Sequence, residues 1–361
     1  MSIHNDQEFF VQWHLTERCN LRCSHCYQTG NRHEELSLPE IEAVIGEIAD
    51  TLEEWSSAYG ISFSSSFSLT GGEPFLRTDF PAIIEKVTLR GFAVFLLSNG
   101  TLIDRERAGM LASFGVKGVQ VSMEGPREVH EGIRGRGSFN AAVRGIRHLV
   151  GAGVPVTLNT TLSSLNADTF MEMMDLAVSL GVRKLGFSRL VPSGRGLDLR
   201  DRMLSAEKVK EVYSRIFAAK PEGLTLVTGD PVAWQMRHTG ESRSDSQNEE
   251  VIPTGGCAAG LSGFTLLADG TVVPCRRLPL PLGTVREDSL REIWAASPVL
   301  EALRDKSRYG GKCGTCARWS HCRGCRAIAY ACSQARGGDD FLAEDPQCFI
   351  GQENSRGQEN S

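Results

Sequence analysis

Cys19, Cys23 and Cys26 stand in a C-x3-C-x2-C array, Thr16-Glu-Arg-Cys19-Asn-Leu-Arg-Cys23-Ser-His-Cys26-Tyr27, and no cysteine follows until Cys257. Thiolates are the usual ligands of iron–sulfur clusters. Three of them can hold three irons of a cubane and leave the fourth without a protein ligand. An open position is what a reactive metal centre needs, whereas a structural site is closed. The alternative is a zinc site that borrows His25 or His14, although no second pair of ligands follows nearby. The remaining eight of the eleven cysteines, Cys257, Cys275, Cys313, Cys316, Cys322, Cys325, Cys332 and Cys348, lie in the last third. The first residues, Met1 to Phe10, are polar and lack a signal-peptide core, so a cytoplasmic location is expected. Thiols stay reduced there, and clustered thiols point to metal rather than to disulfides. By spacing alone, the C-x2-C pairs Cys313/Cys316 and Cys322/Cys325 favour zinc.

Other segments carry groups suited to binding. Thr70-Gly71-Gly72-Glu73-Pro74 offers glycines that let a backbone approach a ligand closely, and Glu73 can accept from an ammonium group. Taken alone it is equally well a plain turn. Ser98-Asn99-Gly100 and Ser122-Met123-Glu124-Gly125 put small polar groups after apolar runs, and Asn159 follows another. Arg134 suits forked carboxylate binding, or is a surface charge. The loop Leu190-Val-Pro-Ser-Gly194-Arg195-Gly196 can meet a carboxylate or a peptide backbone, or is an ordinary loop. Tyr27, Asp230, His238 and Arg195 are possible proton or electron partners, unmarked by spacing.

These residues need strands and helices to bring them together. Apolar runs occur at Phe9–Leu15, Phe63–Leu69, Ala93–Leu97, Gly118–Val121, Val154–Leu158 and Lys184–Leu190. Helix-like stretches fall at 38–57, 79–89, 104–113, 138–151, 167–179 and 205–219. Six strand–helix units in a row predict an α/β fold with a parallel sheet. Six are too few for the eight-stranded barrel, so a curved, partly open (β/α)6 barrel is expected, with ligands at the carboxyl ends of its strands. The expected division is an N-terminal lead (1–8), the partial barrel (9–220), a bridging region (221–255), a small cysteine-rich domain (256–349) and a disordered tail (350–361). Glu241–Glu250 reads as a mobile polar loop. Gly270-Thr-Val-Val-Pro-Cys275 reads as a hairpin turn leading to a thiol.

The first array matches the signature of the radical S-adenosylmethionine (SAM) superfamily. The resemblance implies that Cys19, Cys23 and Cys26 hold a [4Fe-4S] cluster whose open iron binds SAM. Reductive cleavage then gives methionine and a 5′-deoxyadenosyl radical, which abstracts hydrogen from a substrate. It further implies that Gly71, Gly72, Glu73 and Pro74 form the segment binding the SAM amine. Ser98, Asn99, Ser122 and Glu124 would contact ribose or methionine, with Arg134 on the carboxylate and Asn159 nearby. His25, where the family usually has an aromatic residue, can stack near the adenine.

The C-terminal cysteines resemble the SPASM domain of peptide-modifying members. They depart from its C-x2-C-x5-C-x3-C pattern in having two residues, not three, between Cys322 and Cys325. The resemblance shifts the balance from zinc to iron–sulfur. It implies one closed auxiliary cluster on Cys313, Cys316, Cys322 and Cys348, and a second on Cys257, Cys275 and Cys325. Cys332 either completes the second or is a small buried hydrophobe, the commoner fate of a lone cysteine.

Two substrate classes follow. A peptide or protein undergoing maturation is the favoured expectation, because most SPASM proteins resemble maturases. The alternative is a tetrapyrrole, since enzymes of haem d1 and alternative haem biosynthesis share the stretches seen here as Cys322-Arg-Gly-Cys325-Arg-Ala, Gly338-Asp339 and Asp345-Pro-Gln-Cys348. A non-enzymatic iron–sulfur scaffold or electron carrier is the third reading. A reducing donor of flavodoxin or ferredoxin type is expected. A net charge of −5, from 39 basic and 44 acidic residues, gives no electrostatic case for a nucleic-acid or anionic-membrane partner. There is no apolar run of about 18 residues, so no membrane span is expected.

Overall fold

Phe9, Val11, Trp13 and Leu15 recur at period two and are all buried, so the first apolar run packs one face into the core as a strand. The structure, a computed structural model, describes residues 6–28, 34–237 and 252–350. The strands are β1 (Asp6–His14), β2 (Ser62–Thr70), β3 (Ala93–Ser98), β4 (Gly118–Ser122), β5 (Val156–Leu162), β6 (Lys184–Arg189), β7 (Thr225–Val227), β8 (Gly263–Leu266), β9 (Thr271–Val273) and β10 (Gly283–Thr284). They form one sheet in the order β10-β9-β8-β1-β2-β3-β4-β5-β6-β7. All pairs from β8 through β1 to β7 are parallel. The pairs β8–β9 and β9–β10 are antiparallel. This is the expected α/β partial barrel: β1 to β7 run in chain order, and the free edge of β1 takes β8 instead of closing on β7.

The crossovers are α1 (Leu38–Tyr59), α2 (Phe80–Leu89), α3 (Arg105–Ser113), α4 (Arg127–Arg134), α5 (Ser138–Gly151), α6 (Phe170–Ser179) and α7 (Ala206–Ala218). α1 begins where Glu40 accepts from the Ser37 N–H at 2.7 Å, and ends at Gly60, whose φ of 64° needs the freedom of glycine. Further helices are α8 (Pro231–Arg237), α9 (Leu290–Ala296), α10 (Pro298–Arg304), α11 (Gly311–Gly314) and α12 (Arg326–Gln334). No described helix is long and apolar enough to cross a membrane.

Four details depart from expectation. α4 lies where no helix-like stretch was read; it is only eight residues long and mostly charged, and it buries only His130 and Ile133. β5 runs on to Leu162, because Thr160 and Thr161 are β-branched and pair with Phe187 and Ser188 of β6. The sheet extends past residue 220 through β7, and α8 follows in the bridging region. The cysteine-rich region shares the barrel's sheet, since β8 lies beside β1. There Gly263 (φ 155°) sits so close that a Cβ would stand 1.8 Å from the Phe10 carbonyl oxygen. The hairpin at Gly270 is present: Leu267 donates to the Thr271 carbonyl at 2.8 Å. The loop Glu241–Glu250, His238, the first five residues of the lead and the tail from Gly351 lie outside the described residues.

A buried ion network joins the barrel to the cysteine-rich region. Arg189, the last residue of β6, donates to both oxygens of Asp230 (2.6 and 3.0 Å), both oxygens of Asp345 (3.0 and 2.8 Å) and Oε1 of Gln347 (3.2 Å). Tyr213 of α7 donates to Asp230 at 2.8 Å. Breaking a buried pair by removing one partner leaves an uncompensated charge and costs about 3–5 kcal/mol. Asp345→Ala is therefore expected to destabilise the protein by about that amount. Glu54→Ala, which removes the exposed partner of Arg291, should cost less than about 1 kcal/mol. Urea unfolding of both variants checks this, and equal midpoints would refute the network's role.

Candidate active site

The carboxyl ends of the strands converge on one cavity. Its wall includes Cys19, Cys23 and Cys26 after β1, Gly71 and Gly72 after β2, and Ser98 and Asn99 at the end of β3. Ser122 of β4, Asn159 of β5, Arg134 of α4 and His25, all expected from sequence, line it too. Asn159 lies in mid-strand rather than at a strand end, paired in register with Ser122. Arg134 faces this cavity and is not a surface charge.

The glycines are there for close approach. Gly72 donates to the Thr16 carbonyl at 2.7 Å, and a Cβ on it would stand 2.2 Å from the Arg18 carbonyl oxygen. A Cβ on Gly71 (φ 143°) would stand 2.4 Å from the Thr16 carbonyl oxygen. The turn after β2 thus seats the cysteine loop from below. Above it, Gly196 donates to the Cys26 carbonyl at 3.0 Å, and Gly194 lies so near that a Cβ would stand 2.2 Å from the Tyr27 carbonyl oxygen. The glycines of the 190–196 loop therefore meet this chain's own backbone, while Arg195 faces the cavity. Donors also reach the sulfurs: Asn99 Nδ2 lies 3.8 Å from Cys19 Sγ, and Arg134 Nη1 lies 3.7 Å from Cys23 Sγ.

Three expected ligand-binding residues stand behind the wall. Glu73 is fully buried; it accepts from Ser98 Oγ and from the Asn99 N–H, both at 2.9 Å. Burial pushes its carboxyl up to about 7, against the pull of those bonds. Pro74 is buried and opens a short 3-10 turn. Glu124 takes two hydrogen bonds from Arg134, at 2.9 Å from Nε and 2.5 Å from Nη2, and one from the Thr161 N–H at 2.9 Å. His25 Nε2 lies 3.3 Å from its Oε1. Burial opposes ionisation of Glu124, but the Arg134 and His25 charges outweigh it and hold the carboxyl well below the usual range. Glu73 and Glu124 are thus positioned to hold other wall residues.

The C-terminal thiols divide between two further cavities. Cys313, Cys316, Cys322 and Cys348 line one. Cys257, Cys275 and Cys325 line the other. The shortened Cys322-x2-Cys325 spacing serves this division: Arg323 (φ 61°) and Gly324 (φ 60°) are both left-handed and turn the chain from one cavity to the next. Burial pushes the Cys322 and Cys325 thiols up to about 12, and a bound metal would favour their thiolate forms. Cys332 lines neither cavity and rests with Sγ 3.9 Å from Met203 Sδ.

The donors gathered at the three cavities are cysteine thiols, the usual ligands of iron–sulfur clusters. Among the described residues, no three His, Cys, Asp or Glu side chains are placed to hold a single metal ion. His14 is buried with Nε2 3.5 Å from the Tyr27 hydroxyl, and His25 Nε2 faces Glu124, while Nδ1 of each ring is buried without a partner. Asp230, read as a possible proton partner, is committed to Arg189. Sequence reasoning missed Arg276 and Arg277, which line the first cavity and the Cys257 cavity alike. Their one sequence signal was adjacency to Cys275. Gly72→Ala should overpack the seat of the cysteine loop by about 1–3 kcal/mol and lower anaerobic iron loading. Gly132→Ala, in α4 with nothing near its Cβ, is the control expected to load normally, and equal iron contents would refute the close-approach argument.

The Radical SAM superfamily model matches residues 13–177, and the iron–sulfur cluster-binding SPASM domain matches 257–326. The chain is 32% identical to an AdoMet-dependent heme synthase of Nitratidesulfovibrio vulgaris, over 94% of this chain and 91% of that protein. It is 28% identical to the mycofactocin maturase MftC of Mycolicibacterium smegmatis, over 96% and 84% respectively. Its fold is similar to that of Streptococcus suis SuiB bound to S-adenosylmethionine, with a TM-score of 0.72 at 15% identity, covering 96% of this chain and 79% of SuiB. The chain belongs to the radical SAM superfamily of enzymes and carries a C-terminal SPASM domain.

Proposed function

We propose that this radical SAM enzyme modifies a side chain of a carboxylate-bearing tetrapyrrole. The observation that carries the reading is the 32% identity, over nearly the full length of both chains, to a heme synthase. A pre-heme d1 synthase of Dinoroseobacter shibae is also similar, at 28% identity. The motif residues of Asp345-Pro-Gln-Cys348 support it too, because Asp345 ties that segment to the barrel beside the cavity. Maturation of a peptide or protein, the expectation favoured from sequence, is the second reading. The similarity to the mycofactocin maturase speaks for it.

Membership of the superfamily implies a [4Fe-4S] cluster and SAM. Cys19, Cys23 and Cys26 would hold the cluster. Together, cluster and SAM supply one-electron cleavage of the sulfonium and abstraction of a substrate hydrogen atom. The chain's own part is positioning. Gly71, Gly72, Ser98, Asn99, Ser122 and Asn159 would surround SAM, with His25 and Arg134 at its edge. Glu124 holds Arg134 and His25 in place, and Glu73 holds the Ser98–Asn99 turn. Burial of these pairs excludes water and strengthens their mutual attraction. Cys313, Cys316, Cys322 and Cys348 would hold one auxiliary cluster, and Cys257, Cys275 and Cys325 a second. The electron would come from a flavodoxin or ferredoxin type donor.

The test is anaerobic reconstitution followed by incubation with SAM, dithionite and iron coproporphyrin III, in parallel with a candidate precursor peptide. The expected result is 5′-deoxyadenosine release that rises with the porphyrin, together with a mass change of the porphyrin. Release stimulated by the peptide alone would overturn the tetrapyrrole reading. Converting Cys19, Cys23 and Cys26 to alanine is expected to abolish release altogether.

A further inference from the structure

Three buried arginines of this protein have carboxylate partners. Arg77 pairs with Asp79, Arg134 with Glu124, and Arg189 with two aspartates. Arg323 and Arg326 have none and donate to backbone carbonyls instead, whereas Arg195, Arg276 and Arg277 have none and face a cavity. All three line the first cavity, and Arg276 and Arg277 also line the cavity of Cys257, Cys275 and Cys325. Among the described residues, no carboxylate oxygen lies within 4.0 Å of any of the three. Arg277 gives one Nη1 bond to the Arg189 carbonyl at 3.3 Å, while its Nε is buried without a partner. The Nε of Arg195 is likewise buried and unpaired. Arg276 lies over the Tyr27 ring, 5.9 Å from its centroid. The two neighbours are held by a tight turn in which Leu278 donates to the Cys275 carbonyl at 2.8 Å. Their stems therefore start from a fixed point at the junction of the two cavities.

A guanidinium taken from water without an anion is costly, and its planar fork matches a carboxylate through two parallel bonds. We propose that Arg276 and Arg277, with Arg195 across the cavity, form a binding subsite for the carboxylates of a polyanionic substrate, fixing it between the first thiol set and the Cys257, Cys275 and Cys325 set. The proposal rests on the tetrapyrrole reading for the identity of the substrate, though not for the charge it must carry. A competing role is neutralisation of the nearby thiolates, which would make the arginines part of metal binding instead.

Anaerobic optical titration of the reconstituted holoenzyme separates these roles, with iron coproporphyrin III, which carries four propionates, against its tetramethyl ester. The wild type is expected to bind the acid at least about tenfold more tightly than the ester. Arg276→Gln with Arg277→Gln should weaken acid binding by about tenfold to a hundredfold and leave ester binding unchanged, at wild-type iron content. Arg276→Lys with Arg277→Lys should keep most of the preference, which a mere packing role would not. Equal binding of acid and ester by the wild type, or unchanged acid binding by the glutamine pair, overturns the subsite. Loss of iron in the glutamine pair together with equal acid and ester binding assigns the arginines to the thiolates. If the wild type binds neither porphyrin, the tetrapyrrole reading falls and tricarballylate decides. The subsite stands if this tricarboxylate raises the melting temperature of the wild-type holoenzyme and not that of the glutamine pair. It falls if the two respond alike.

Discussion

Arg189 commits all five of its N–H donors to oxygens from two other parts of the chain. Asp230 follows β7; Asp345 and Gln347 belong to the last segment of the cysteine-rich region. The Cys325 N–H donates to the same Asp345 at 2.8 Å, and Gln347 donates to the Leu204 carbonyl at 2.7 Å. One residue at the carboxyl end of β6 thus sets where the barrel, Cys325 and Cys348 stand relative to one another. Burial raises the cost of every charge in this set, and the arrangement is stable because Arg189 holds the Asp345 carboxyl below its ordinary range despite that burial.

A second constraint works at the other end of the cavity. Gly71, Gly72, Gly194 and Gly263 each stand where a Cβ would collide with a carbonyl oxygen. Three of these contacts press on the cysteine loop, and the fourth seats β8 against β1. The loop that carries Cys19, Cys23 and Cys26 is therefore shaped by backbone packing from two sides rather than by its own secondary structure. Side-chain charge then adjusts the wall: Glu124 draws Arg134 towards Cys23, and Glu73 anchors the turn that brings Asn99 towards Cys19. The arginines at 195, 276 and 277 have no carboxylate partner among the described residues, and two of them line the cavities of both neighbouring thiol sets.

Much of this was legible in the order of residues. The six apolar runs became β1 to β6, because period-two burial and the intervening helical stretches allow only a parallel sheet. Thiol spacing separated the first three cysteines from the last eight, the resemblance to the SPASM domain implied two sets among the latter, and the structure places the three sets on three cavities. α4 was not legible, since its eight mostly charged residues are too short a window for a helical period to stand out. Glu73 and Glu124 were read as ligands because their motifs place them at strand ends; only packing turned their carboxylates inward. Arg276 and Arg277 carry no signature beyond their adjacency to Cys275.

Local rules act through neighbours in the chain, so the order of residues alone was enough for the first six strands, most of the crossover helices and the hairpin at Gly270. What faces what is decided by contacts between residues far apart in the chain. The joining of β8 to β1, the bridge from Arg189 to Asp345 and the meeting of two cavities at Arg276 and Arg277 are all of that kind. Such contacts depend on the geometry of the whole sheet and on which charges burial leaves without a partner, and no run of neighbouring residues encodes either.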